Sequence, residues 1–325
     1  MHGERNGRSG TQPPLRVGLV GAGRRGHARA AALAGFPGVA LVGVSDADEP
    51  RARAVAAAHG AAFYASTPAL LADADVVCVA VPPGARFVVA RAAAGAGAHV
   101  FLEWPPATGL AEAERLGHLA EEAGVEVGVA RPLPVAPLLE GRPAEWRPRL
   151  LALTLDAGPD GDDPALAGLS WPHRLAGALD LAVALARSAE VQRVEAEADR
   201  DGARLRSVAL GLRFRNGVYA QAALHARARP VPPSERFRLD AAGSGLRLSA
   251  RTLHGPVCLE REGSPADATL PANPAPALAF GPAPPPGDEL AAFLAAVAAG
   301  RPAPVSILDA VHTLRLVERV MERLR

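Results

Sequence analysis

LRVGLVGAGRRG, Leu15 to Gly26, is the stretch that decides the fold. An apolar run, Val17 to Val20, passes into glycines at Gly21, Gly23 and Gly26, and Ala-rich helical sequence follows. That order reads as strand, tight turn and helix N-terminus. Gly21 lets the backbone turn. Gly23 leaves no Cβ where a pyrophosphate would lie against the main chain, and Gly26 lets the helix pack closely on the strand. The free N–H groups and positive dipole end of the helix face the phosphates. A second strand, Val39 to Ser45, ends in Asp46, twenty residues after Gly26, where a carboxylate meets a ribose 2′-hydroxyl.

Outward from this unit the pattern repeats. Helix is expected over His27 to Leu33 and Glu49 to His59, and a short strand over Ala61 to Tyr64. Thr67 is expected to cap a brief helix with Pro68 at its first position. Ala74 to Val81 is a continuous apolar run, as in a parallel strand buried on both faces, and Pro82, Pro83 and Gly84 stop it. Helix over Arg86 to Ala94, strand over His99 to Leu102, helix over Leu110 to Ala123 and strand over Val125 to Val129 complete a doubly wound parallel sheet ending near Ala130.

Beyond it the pattern changes. Arg131 to Arg149 is Pro-rich without a clear period, Leu150 to Ala157 reads as a strand, and Arg174 to Arg187 as a helix. Arg204 to Phe214 and Val218 to His225 flank Asn216-Gly217, a strong two-residue hairpin signal. Arg236 to Ala241 and Leu246 to Ala250 flank Gly243-Ser244-Gly245, a second hairpin. Pro265 to Pro286 reads as a low-complexity surface loop, and helices over Asp288 to Ala299 and Ser306 to Arg323 close the chain. The fold class expected is α/β: a Rossmann parallel sheet (15–130) and an α+β unit with an open, mostly antiparallel sheet (131–325). A polar tail (1–14) is expected to be disordered.

Composition narrows the function. A 325-residue chain with 49% hydrophobic and 21% charged residues and a formal net charge of +1 fits a globular protein with a sizeable core and no electrostatic footprint for nucleic acid. The Ala-rich runs are broken well short of the ~18–20 apolar residues a membrane span needs. The start has no apolar leader, and Cys78 and Cys258 make no disulfide framework, so the cytoplasm is the expected compartment. There is no lysine, and all 35 basic residues are Arg. A Lys general acid or Schiff base is therefore excluded, and Arg, with a pKa above ~12, is no proton donor.

VGLVGAGRRGHARA, DVVCVAVPP, HVFLEWPPA, NGVYA and VSILDAVHTLRLVERV, taken together over Leu15 to Arg323, resemble the Gfo/Idh/MocA oxidoreductases. The resemblance implies NAD(P) over the carboxyl ends of the first strands. Gly21, Gly23 and Gly26 would meet the pyrophosphate, Asp46 the adenosine ribose, Val81, Pro82 and Pro83 the nicotinamide half, and Glu103 the nicotinamide ribose. It implies hydride transfer to or from a small sugar-like or cyclitol substrate held against the second sheet, and a homodimer or homotetramer through that sheet's outer face. Arg24 and Arg25 would suit a 2′-phosphate, but Asp46 repels one, so NAD(H) is preferred over NADP(H).

The sequence departs from the family at the chemistry. The family carries Glu-Lys-Pro after its fifth strand, and its Lys polarises the substrate oxygen; here Glu103-Trp104-Pro105 stands instead. The family also carries Asp and His four residues apart in a helix of the second domain. Aligned on Leu179-Asp180, His173 takes the Asp place and Gly177 the His place. Thiazolinyl imine reductases, a divergent branch, share the loss of the Lys but have His there. A cyclic imine, more easily protonated than a ketone, is thus a second substrate class.

His173 is the remaining acid/base candidate, against a reading as a loop His packed on Trp171. Arg131, after the sixth strand, suits either a clamp for a substrate anion or an interdomain ion pair. Trp104 suits an aromatic wall for the substrate or plain packing. Tyr219 could face the substrate or an interface, His99 reads as structural and Cys78 as a small core residue. His225, His254 and Cys258 lack metal spacing, so no metal is expected. Two further readings stand beside a working oxidoreductase: a dinucleotide-binding partner, sensor or scaffold without turnover, and a lyase or isomerase using NAD transiently.

Overall fold

The computed structural model describes residues 13–133, 146–157, 170–188, 190–226, 237–251, 257–261, 270–272 and 287–325. The expected disordered tail, apart from positions 13 and 14, lies outside them, as do His254 and most of the two Pro-rich segments.

The first sheet is parallel throughout, in the order β3-β2-β1-β4-β5-β6. Its strands are β1 (Leu15–Val20), β2 (Val39–Ser45), β3 (Ala62–Phe63), β4 (Val76–Val79), β5 (His99–Leu102) and β6 (Val127–Val129). Five helices lie between them: α1 (Arg24–Leu33), α2 (Glu49–Ala58), α3 (Thr67–Leu71), α4 (Pro83–Gly95) and α5 (Leu110–Ala123). The order reverses between β1 and β4. In an open α/β sheet that crevice, at the carboxyl ends of the strands, is where ligands bind.

Three local expectations need correcting. Helix α1 starts at Arg24, three residues before His27. Ser66, not Thr67, caps α3, because its hydroxyl reaches the Ala69 N–H. Helix α4 starts three residues before Arg86, at Pro83, where a missing N–H costs nothing.

The second sheet runs β14-β13-β12-β11-β7-β10-β9-β8 and is antiparallel among its described pairs except where β7 (Leu150–Ala157) lies parallel to β10 (Tyr219–Ala226). The others are β8 (Val191–Asp201), β9 (Arg204–Phe214), β11 (Phe237–Gly243), β12 (Leu246–Ala250), β13 (Val257–Arg261) and β14 (Leu270–Ala272). Both expected hairpins form, with positive φ at Gly217 and at Ser244-Gly245. Strand β14 falls inside the stretch expected to be loop. Helix α6 (Trp171–Ala186) begins three residues earlier than expected, so His173 stands in its first turn rather than in a loop before it.

The chain then returns to where it began. Helix α7 (Gly287–Ala298) sends Leu290, Phe293 and Leu294 into one core cluster with Val17, Leu19, Ala30 and Phe101. Phe293 lies against Gly128 of β6, where an added Cβ would be 2.4 Å from its ring. The Val129 N–H donates to the Val305 carbonyl at 2.9 Å, and Gly128 bridges Ser306. Ser306 and Asp309 form a capping box that starts α8 (Ile307–Arg323).

Candidate dinucleotide and hydride-transfer site

The glycine turn is built by close approach. Gly21 has φ +99°, and a Cβ there would sit 2.7 Å from the Ala80 carbonyl carbon. A Cβ on Gly26 would sit 1.8 Å from the Gly21 oxygen. Over Gly23 nothing lies within 4 Å of that position, and Gly23 caps α1 without a side chain, leaving the first-turn N–H groups open. This cradle fits a dinucleotide pyrophosphate. Asp46 sits beside it: its carboxylate accepts from the Ala22 N–H at 2.5 Å and the Asp48 N–H at 2.8 Å, tying the turn to the end of β2. Arg24 is exposed at the rim.

Glu103, at the end of β5, is 3% exposed. It accepts from Arg25 Nη1 at 2.5 Å and from Arg29 Nε at 2.6 Å. Burial pushes its carboxyl upward, but the attraction and hydrogen bonds of Arg29 and Arg25 outweigh it and hold the group below the usual carboxylate range. Both of its oxygens are therefore engaged within the protein, in the place expected to meet a nicotinamide ribose.

Arg86 was not among the residues expected. It is 5% exposed, and it bridges the ends of two strands. Its Nε donates to the Val81 carbonyl at 2.9 Å, and its Nη1 to the carbonyls of Glu103 at 3.2 Å and Pro105 at 2.6 Å. Burial lowers its pKa to about 10, which leaves it cationic at neutral pH. A signal existed in the sequence. The buried residues of α4 are Arg86, Ala90, Ala93 and Ala94, so the helix's apolar stripe starts on a cation. Pro82 and Pro83 cap and open the same helix.

His173 meets this group from the second unit. Its ring stands edge-on to Trp104, with centroids 6.4 Å apart, and Trp104 is 5% exposed. Burial, then the fields of Arg25 and Arg86, push the imidazole down to about 4. It is neutral at pH 7. Gly177, one turn on, is closed: a Cβ there would be 2.5 Å from Leu133 Cγ. Leu133 fills the space that a His at that position would need.

Arg131 N–H donates to Glu289 Oε1 at 3.2 Å, and its Nη1 to the two Asp180 oxygens at 2.9 and 2.8 Å. The residue joins the end of β6 to α6 and α7. Tyr219 pairs with Arg213, on the face opposite the buried Ala220 and Leu224. His99 Nδ1 accepts from the Glu126 N–H at 2.9 Å, and burial pushes the Cys78 thiol up to about 12. Among the described residues no three His, Cys, Asp or Glu side chains group as metal ligands, and no helix is long and apolar enough to cross a membrane.

Burial pushes the Glu289 carboxyl up to about 7, against the Arg131 N–H bond and the charges of Arg29 and Arg131. Its ordinary value is 4.5, so between pH 4.5 and about 7 the folded state binds the extra proton, and stability falls as pH rises through that window. Glu289→Gln keeps an acceptor for Arg131 and has no charge to bury. It should be more stable than wild type by roughly 1–3 kcal/mol at pH 8 and equal to it at pH 4, in paired denaturant titrations. A constant difference across pH would remove Glu289 as its source.

Residues 15–131 match the profile of the oxidoreductase family, NAD-binding Rossmann fold. UDP-N-acetylglucosamine 3-dehydrogenase of Acidithiobacillus ferrooxidans is 32% identical over 126 residues, 39% of this chain and 40% of that enzyme. Inositol 2-dehydrogenase 1 of Saccharopolyspora erythraea is 40% identical over 107 residues, 31% of this chain and 32% of that enzyme. These sequence matches thus span well under half of either relative. The fold likeness runs further. The solved structure of the Acidithiobacillus enzyme superposes with a TM-score of 0.78 over 96% of this chain and 98% of that one, at 23% identity. A levoglucosan dehydrogenase in complex with NADH superposes at 0.76 over 95% of this chain and 96% of that one, at 20% identity.

Proposed function

We propose that this chain, whose residues 15–131 match the NAD-binding oxidoreductase profile, is an NAD(P)-dependent oxidoreductase that transfers hydride between nicotinamide and a small, sugar-like alcohol or ketone, or a cyclic imine. The observation that carries this reading is the open glycine cradle at the turn from β1 to α1; His173 stands edge-on to Trp104 in the second unit. Taking hydride from an alcohol requires its hydroxyl proton to leave, and the reverse reduction requires one to be supplied; His173 would exchange that proton in either direction. Bound nicotinamide would accept or supply the hydride. Gly21, Gly23 and Gly26 would hold the pyrophosphate, Arg24 and Arg25 would flank it, and Asp46 would take the ribose and favour NAD(H) over NADP(H). Val81, Pro82 and Pro83 would border the nicotinamide. Glu103 would position that half through Arg25, Trp104 would wall the substrate, and Arg131 would hold α6 in place. A homodimer or tetramer through the outer face of the second sheet accompanies this reading.

Parallel titrations with NADH and NADPH test it, followed by a screen that includes inositol and UDP-N-acetylglucosamine, the compounds in the two relatives' names. NADH should bind, and Gly23→Asp, which puts a carboxylate where the phosphates would lie, should abolish binding while leaving the melting curve in place. His173→Ala should lose about 10²–10³ in kcat with NADH affinity intact. Turnover retained in that variant removes His173 from the mechanism. Tight NADH binding without turnover across the screen would favour the partner or sensor reading, and NAD(H) that co-purifies and cycles internally would favour a lyase or isomerase.

A further inference from the structure

Among the described residues Arg86, at the carboxyl ends of β4 and β5, has no ion-pair partner. The carboxylate of Glu103 is shared by Arg25 and Arg29. Arg86, buried beside them, takes only the carbonyl oxygens of Val81, Glu103 and Pro105. The Glu289 carboxyl also acts on Arg29, but among the described residues no carboxylate bonds to Arg86. Carbonyls orient a guanidinium but bring no counter-charge, and a buried charge without one is costly. The Nη2 of Arg86 has no protein partner among the described residues, yet it is not sealed from solvent. The cofactor does not account for this charge. Its pyrophosphate belongs at the glycine turn beside Arg24 and Arg25, whereas Arg86 stands on α4, next to His173, where the substrate would lie.

We propose that Arg86 receives an anionic group of the substrate, and that the substrate is a polyhydroxy carboxylate, a sugar acid, rather than a neutral polyol. This rests on the oxidoreductase reading above. One guanidinium without a bonded carboxylate suits a single carboxylate better than a phosphate dianion. The Nη2 of Arg86 is a fixed end-on donor, held in place by the carbonyls on Nε and Nη1 before any ligand arrives, and a preorganised guanidinium loses little on binding a carboxylate. It also sets the orientation. A carboxylate anchored at Arg86 turns a neighbouring hydroxyl toward the imidazole.

D-Gluconate and D-glucitol share a hydroxylated six-carbon skeleton and differ by the carboxylate, so calorimetric titration of both at constant ionic strength, with and without NADH, tests the proposal. Gluconate should bind at least about 10-fold more tightly than glucitol, as a charge-assisted bond requires. Arg86→Gln should abolish that preference, and Arg86→Lys, which keeps the charge, should keep part of it. Equal binding of the two probes, no saturable binding of gluconate, or a preference that survives Arg86→Gln would overturn the proposal. If Arg86→Gln does not fold, the wild-type comparison and the Lys variant decide. Failure of NADH to bind would sink the oxidoreductase reading instead, and the titration without cofactor would still judge Arg86.

Discussion

Gly26→Ala is expected to destabilise the protein by about 3 kcal/mol, the upper range for overpacking, and to abolish NADH binding by the fraction that folds. The added methyl would lie 1.8 Å from the Gly21 oxygen, a backbone atom that cannot rotate away. Helix α1 must then lift from β1, and the turn whose N–H groups face the phosphates opens. The matched control is Gly23→Ala. Nothing lies within 4 Å of its new Cβ, so its denaturation midpoint should match wild type while its cofactor affinity falls. Denaturant melts of the two variants side by side, read at constant slope, make the comparison. Equal midpoints for both would mean that α1 does not pack on β1 as described.

Glu103→Ala should cost about 3–5 kcal/mol at pH 7, the range for removing one partner of a buried ion pair. It withdraws the carboxylate shared by Arg25 and by Arg29, which is 4% exposed. The sign against pH follows from the direction of the shift. The folded carboxyl lies below its ordinary value of 4.5, so its contribution is complete above that pH and is lost as pH falls through the folded value. The gap between wild type and variant should therefore narrow in acid. A gap that stays constant as the solution is acidified would place the cost in packing rather than in charge.

How much of this was readable from the chain depended on the range of the interaction. The six strands of the first sheet were legible because each is an apolar run ended by glycine, proline or a cap, all within one window. The two hairpins were legible for the same reason. Strand β8 is hard to read: Val194, Ala196 and Ala198 alternate with exposed Glu195, Glu197 and Asp199, but two of the three inward residues are alanines and give the face little apolar contrast. The start of α6 was hidden by Trp171-Pro172, which reads as loop. Pro172 is tolerated there because the first-turn N–H it lacks has no partner within the helix. At the site, the glycines and Asp46 declared themselves by spacing. The pairings Arg25–Glu103, Arg29–Glu103 and Arg131–Asp180 join residues far apart in sequence, and no local pattern reveals them. The loss of the family's Lys and His was visible as letters. That Leu133 closes over Gly177, and that Arg86 leaves a positive charge nearby, needed three dimensions.

The return of the chain to its beginning has a consequence for biosynthesis. A nucleotide-binding half made first would ordinarily be expected to fold on the ribosome before the rest emerges. Here Leu290, Phe293 and Leu294 complete the layer over Val17, Leu19 and Phe101, and Val305 supplies the acceptor for Val129. Helices α1 and α2 already cover part of that layer, so until Leu290, Phe293 and Leu294 are made the first half keeps the remainder uncovered. A nascent chain stalled near residue 131 should be held by chaperones and cut readily by protease. Release past residue 310 should convert it to a resistant form in one step.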